Sequence, residues 1–327
     1  MNRRHMLSAL AAGLAAPAVV TPAMATATPK DDTTLLLEAL AKSDVVRLEA
    51  RTYRIRPDVL KIDRPYQRLI GVGGHAGVEG GSRLVLDGAG GTLLGIRSHG
   101  VVVEGVGFTG PADRLIHVER APSAHGDIDV QIIACTLSGA TTGLSTRGRG
   151  VFARSSWFSH NKRHILLDFP TAHELANPRH EWQTEMGGAR KVHIDGCYFH
   201  HGSQASVWVV SPHLHGVQVV GCHHDGPQPL VVGHLNMATV TGNTVYRLRH
   251  AGIVLLGKSE GVSITGNAFA GGRNGKPMGP AVSVRSDIAA AAITGNVRTG
   301  GRGPGIKTRN DIMPRGIVHM NAWGNER

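Results

Sequence analysis

Cationic and imidazole side chains recur at one fixed place in this chain. Arg97, Arg147, His213, His234, Lys258 and Asp287 each stand four residues before a segment of a common pattern, and Gly126 and Gly188 hold the same place before two others. Arginine is a planar, permanently charged clamp for a carboxylate, whereas histidine is neutral near pH 7 and accepts a proton. These are the parts that β-elimination or C5 epimerisation of a uronic acid requires. A cation neutralises the C6 carboxylate, and a base removes the acidified C5 hydrogen. Arg147, His213, His234 and Lys258 are therefore the candidate catalytic residues, and Arg97, Arg285 and Asp287 extend the row as candidate substrate contacts. Glycoside hydrolysis needs two carboxyl groups held about 5 to 9.5 Å apart, and this carboxylate-poor row suits it less well.

A second concentration of polar chemistry lies in the longest interval between segments. Asp168 leads to His173 and Glu174, then to His180, Glu181 and Trp182. Long connections often carry function, and carboxylates, imidazoles and an indole can all contact a sugar, so these six join the candidate substrate-binding residues. Histidine is abundant, at 19 residues. His200-His201 and His223-His224-Asp225 have the donor types for a transition metal, but read more simply as satisfied polar residues at widened corners. No metal ligands are assigned and no cofactor follows from the residues, with Ca²⁺ left open.

The elements that must carry these residues are visible as an internal repeat. Eight segments share the pattern apolar, x, apolar, x, small, Cys/Asn-like, x, bulky apolar. They begin at Val101, Val130, Val151, Val192, Val217, Ala238, Val262 and Ala291, with a weaker ninth copy at Ile317. Spacings of about 21 to 29 residues, with one interval of about 41, predict one strand-and-turn unit per copy stacked into a parallel β-solenoid. Strand alternation sends the first and third positions inward. The eighth column collects Phe108, Phe158, Phe199 and Phe269, four of the six phenylalanines. The sixth collects all three cysteines, Cys135, Cys197 and Cys222, followed by Asn243, Asn267 and Asn296. In one column they read as small buried groups at a bend, not as reactive thiols. A further strand precedes each copy, as at 143–146, 206–210, 230–232, 252–256 and 281–284. Upstream, Asp31 and Asp32 are N-cap candidates for a helix from about Thr33 to Lys42, with Leu36, Leu37, Leu40 and Ala41 available to cover the first coil. The expected fold is all-β: a single-stranded right-handed parallel β-helix of about ten to eleven coils with an N-terminal capping helix, occupying 26–327 as one domain.

Composition excludes other classes. Glycine at 44 of 327 residues without a Gly-X-Y period is turn-rich rather than collagenous, and 18% charged with 4% aromatic residues disfavours a helical bundle. Three cysteines make no disulfide framework. Residues 1–25, with Arg3-Arg4, a short Ala/Gly/Leu run and Ala23-Met24-Ala25, read as a twin-arginine-type signal peptide, which places the mature protein in the periplasm or outside a bacterium. No segment approaches the ~20 apolar residues of a membrane span. The net charge of +11 has no nucleic-acid-binding module behind it; the row of donors is read as lining a groove for an acidic polysaccharide or oligosaccharide, and homo-oligomerisation stays open.

The run DDTTLLLEAL, then VVRLEARTYRI, RLIGVGG and repeated VxITGN units, resembles the right-handed parallel β-helix proteins of the pectate-lyase-like superfamily over about residues 31 to 325. The resemblance implies the fold and, for many members, action on uronic-acid polysaccharides; other members are tailspikes or adhesins. Asp168 with His173-Glu174 is distantly similar to the Asp-Pro-His region of mannuronan epimerases of that fold, at a different spacing. The three-aspartate cluster of the hydrolase branch has no counterpart here. The function expected is thus an exported carbohydrate-active protein working by β-elimination or C5 epimerisation. The alternative is a non-catalytic polysaccharide-binding or adhesin-like solenoid, favoured by apolar positions read as outward at Val207, Val209, Val232, Val254 and Leu256.

Overall fold

The computed structural model describes residues 18–19, 31–73, 80–119, 129–147, 150–168, 191–210, 214–257, 259–271, 279–285, 288, 290–299, 304–308 and 317–323. The chain winds as a right-handed parallel β-helix in which one strand from each turn stacks into a ten-stranded parallel sheet. The turn from Val130 shows the plan. Val130–Ile133 forms a first strand, Thr136–Ser138 a second and Thr142–Thr146 a third. Each pairs in parallel with its counterparts one turn before and after, so Val130 lies beside Val151, Val151 beside Val192 and Val192 beside Val217.

Alternation in the first strand is as the repeat predicts. Val130, Ile132, Val192, Ile194, Val217, Val219, Ile264 and Ile293 are buried in the bore of the solenoid. The phenylalanine column is continuous in register. Phe158 pairs with Phe199 with ring centroids 5.3 Å apart, and Phe108 and Phe269 lie in the same column. The bend between first and second strands is made by one residue in the left-handed region: Gly105, Ala134, Ser155, Gly196, Gly221, Gly242, Gly266 and Gly295 all have φ between 48° and 65°. That conformation is why the fifth column is small.

The sixth column follows this bend, and its contents have a common duty. Cys135, Ser156, Cys197 and Cys222 are buried, and each points its donor at a carbonyl of the preceding turn: Val103, Ile132, Ala153 and Ile194 respectively. Asn243, Asn267, Asn296 and Asn321 do the same to Val219, Val240, Ile264 and Ile293, at 2.7 to 2.9 Å. Thiol, hydroxyl and amide alternate in one column because each supplies the donor a buried carbonyl requires. Burial pushes the Cys135 thiol up to about 12, which suits a packing group rather than a nucleophile.

The helix Thr33–Lys42 packs against the first two strands with Leu36 and Leu40 buried and Leu37 half-buried, while Ala41 stays exposed. Its first turn is capped by Asp31, whose carboxylate accepts from the Thr33 N–H at 2.9 Å. Asp32 accepts instead from Arg51 and from the Arg54 N–H, tying the helix start to the second strand of the first turn. Among the described residues no helix is long and apolar enough to cross a membrane.

The third strands build a separate ten-stranded parallel sheet running from Lys61–Ile62 through Ile306–Thr308. Register corrects one expectation here. Val207 and Val209 share columns with Ile165 and Leu167 and are fully buried, so they face the bore; Trp208 between them faces out.

Candidate functional site

The outer face of the ten-stranded sheet presents two columns along the axis. In the inner of the two, Gly95, His117, Ser145, Leu166, Trp208, Val232, Val254, Ser283 and Lys307 follow one another in register. Two residues further along each strand run Arg97, Glu119, Arg147, Asp168, Val210, His234, Leu256 and Arg285. Their backbone N–H groups continue the ladder, from Arg97 to the Ile62 carbonyl through Arg285 to the Leu255 carbonyl. Five sequence-derived candidates, Arg97, Arg147, Asp168, His234 and Arg285, thereby fall in one row with neighbours about 4.8 Å apart. His213, Lys258, Asp287, His173, Glu174, His180, Glu181 and Trp182 lie outside the described residues.

The row divides into two chemically different halves. Towards the N-terminal end the charges answer one another. Arg97 Nε donates to Glu119 Oε2 at 2.8 Å, and Arg147 faces Asp168 at 3.8 Å. Beside them His117 Nδ1 lies 2.7 Å from Ser145 Oγ, both side chains buried. Desolvation, reinforced by the Arg114 charge, pushes His117 down to about 4, so the ring is neutral at pH 7. A cavity of about 190 Å³ opens here between Asp58, Lys61, Arg97, Arg114, His117 and Glu119.

Towards the C-terminal end the floor is apolar. Trp208, Val232 and Leu256 are half-buried, and Val210 is 44% exposed. The Arg163 guanidinium sits 5.1 Å from the Trp208 ring centroid and holds one side of that floor. His234 rises from it with Nδ1 bonded to the Gly257 carbonyl. A carbonyl can only accept, so the proton of the neutral ring is on Nδ1 and the lone pair is on Nε2. Two rungs further, roughly 10 Å along the axis, Arg285 projects into solvent, and no ion pair engages it among the described residues. A groove of about 550 Å³ begins there.

Glu119, His117 and Trp208 stand in these columns although the spacing to the repeat does not nominate them. Counting back four residues from each repeat reached Gly126 and Gly188, because connections of unequal length separate the third strand from the next copy. Counting forward from the third strand reaches Glu119 and Asp168 in every case, and two residues earlier finds the inner column.

A different face carries the histidine-rich corners. Trp157, Tyr198, His223 and Tyr246 stack along the second strands, with centroids 4.0, 4.6 and 4.9 Å apart. Trp157, Tyr198 and His223 stack face to face within the column, while Tyr246 at its end is tilted and 42% exposed. Asp225 pairs with Arg247 and lies 3.7 Å from His200. His200 is pushed below the usual imidazole range by desolvation and the adjoining His201. Among the described residues no three His, Cys, Asp or Glu donors converge as a metal site would require.

This architecture is that of a right-handed parallel β-helix, with one cavity at each end of the outer face of its third-strand sheet. No protein family matches the chain, nor does any curated protein. Solved structures of the same fold do. The A-module of the mannuronan C-5 epimerase AlgE6 from Azotobacter vinelandii superposes with a TM-score of 0.60 at 15% identity, covering 91% of this chain and 96% of the module. The enzymatically active domain of tailspike protein 2 from bacteriophage CBA120 gives 0.64 at 13% identity, over 86% of this chain and 44% of that one. ORF18 of Geobacillus virus E2 gives 0.60 at 13% identity, over 91% and 59%. The chain thus spans less than two thirds of either viral protein. At these identities the likeness establishes the fold.

Proposed function

We propose that this chain is an exported carbohydrate-active protein that holds an acidic, uronate-containing polysaccharide along the outer face of the ten-stranded sheet and acts on it by β-elimination or C5 epimerisation. One observation carries the reading: His234, with its tautomer set by the Gly257 carbonyl, stands on an apolar floor in the same row as Arg285, which no ion pair engages among the described residues. A pyranose ring packs its C–H face on Val210, Val232 and Leu256. Arg285 takes the carboxylate, which acidifies the C5 hydrogen. His234 Nε2 removes that proton. In elimination the electron pair closes a C4–C5 double bond as the C4–O bond breaks, and the departing oxygen takes up a proton. In epimerisation a proton returns to the opposite face of C5. A solved mannuronan C-5 epimerase module of the same fold supports the substrate class.

Glu119 and Asp168, about two rungs apart, fit hydrolysis less well, because an arginine already engages each. Incubation with polyuronates decides among these outcomes. Absorbance from an unsaturated uronate identifies elimination, and deuterium from solvent at C5 without chain cleavage identifies epimerisation. Reducing ends without unsaturation would refute both. His234→Ala should abolish turnover while leaving binding in place. Binding by the unaltered protein with no turnover on any polyuronate would instead establish a non-catalytic glycan-binding solenoid.

A further inference from the structure

The groove of about 550 Å³ at the C-terminal end of the sheet is lined by Arg249, His250, Arg285 and Lys307, together with Gly279, Pro280, Ser283 and other uncharged positions; among the described residues no carboxylate lines it. Arg249, Arg285 and Lys307 are exposed, and among the described residues none of the three has an ion-pair partner. This sets them apart from the other arginines of the row, since Arg97 and Arg147 each have a carboxylate beside them. Arg285 and Lys307 project diagonally from successive rungs, Lys307 lying beside Ser283 two residues before Arg285, and Arg249 approaches from the corner that leads into the strand Ile253–Leu255. Three like charges around one groove repel one another until an anion joins them. A single carboxylate needs only one bidentate arginine. Three separate cations spread over two rungs and a corner match a ligand whose negative charges are also spread.

We propose that this end of the groove is an anion subsite for a stretch of glycan bearing at least two negative charges on neighbouring sugars, so that the substrate is a run of uronates rather than an isolated uronate in a neutral chain. The inference rests on the reading of this face as the glycan groove and specifies its substrate. Arg249 and Lys307 act here as anchoring residues and stand apart from the reacting atoms.

The test is equilibrium binding of the full chain to three probes of equal length: an oligouronate, an oligosaccharide with one uronate, and a neutral oligosaccharide. An Arg249→Ala/Lys307→Ala double variant is compared with His234→Ala and the unaltered protein. Each charge-assisted contact is worth about tenfold in affinity, so the double variant should bind the oligouronate roughly a hundredfold more weakly at low salt. The gap should narrow as salt rises, and neutral-probe binding should not change. His234→Ala should retain oligouronate affinity. Unchanged oligouronate affinity in the double variant, or equal affinity of the unaltered protein for the one-uronate and oligouronate probes, would overturn the subsite whatever the turnover assays show. Weakened binding in a protein that turns over no polyuronate would uphold the subsite while the catalytic reading fails.

Discussion

Asn267→Ala is the substitution that most directly interrogates the donor column at the bend. The Asn267 amide makes four side-chain hydrogen bonds. Its oxygen accepts from the Asn243 N–H at 3.0 Å and from Asn243 Nδ2 at 2.9 Å; its nitrogen donates to the Val240 carbonyl and to Asn296 Oδ1, both at 2.9 Å. Alanine leaves the buried Asn243 N–H without a partner, at about 1 to 3 kcal/mol, and takes from the Val240 carbonyl the donor it has besides the strand ladder, whereas Asn243 Nδ2 still reaches the Val219 carbonyl. The expected loss is on the order of 2 to 4 kcal/mol, a large part of the ~5 to 15 kcal/mol that holds a typical domain folded. Cys197→Ala, in the same column, removes only a weak thiol donor 3.4 Å from the Ala153 carbonyl and a small volume, and should cost about 1 kcal/mol. Urea unfolding followed by circular dichroism compares the two. Because each turn of a solenoid contacts only its neighbours, amide hydrogen exchange at Asn243 should accelerate selectively in Asn267→Ala. An Asn267→Ala cost within experimental error of the Cys197→Ala cost would refute the account of the column as a set of required donors.

Acid should weaken the protein through two interior histidines. Burial holds His164 down to about 3 and His224 to about 4, below the ordinary 6.5, so the unfolded chain binds more protons throughout the interval and stability falls as pH drops below 6.5. By pH 5 the loss is about 2 kcal/mol per histidine; a urea midpoint unchanged between pH 7 and pH 5 would contradict this. Gly233→Ala should destabilise by on the order of 1 to 3 kcal/mol and disturb the adjoining His234, because a Cβ there would sit 2.3 Å from the Val209 carbonyl oxygen. Equal melting temperatures for this variant and the unaltered protein would count against it. Arg97→Ala, which breaks a half-exposed pair with Glu119, should cost under about 1 kcal/mol and leave polyuronate affinity nearly unchanged, whereas Arg285→Ala should weaken that affinity. Calorimetric titration of both variants distinguishes these outcomes.

What the sequence determined alone is periodic. Every turn repeats the same contacts, so the identity of inward columns follows from alternation within a strand and needs no knowledge of distant parts. Cys135, Cys197 and Cys222 fall in one buried column for that reason, as do the four phenylalanines, and the helix over Leu36 and Leu40 follows from its own apolar spacing. What only the tertiary structure decided is how the strands align where connections differ in length. The third strand is set by hydrogen bonds to the turns before and after it, not by its distance from the next repeat. That register placed Glu119 against Arg97, Asp168 against Arg147, and Val207 and Val209 in the bore. It also separated a half of the row whose charges are already matched from a half where His234 and Arg285 stand beside apolar floor. Residue type could nominate those side chains, but a charge becomes available or engaged through its neighbour across the ladder, and neighbours across a ladder are a property of the fold.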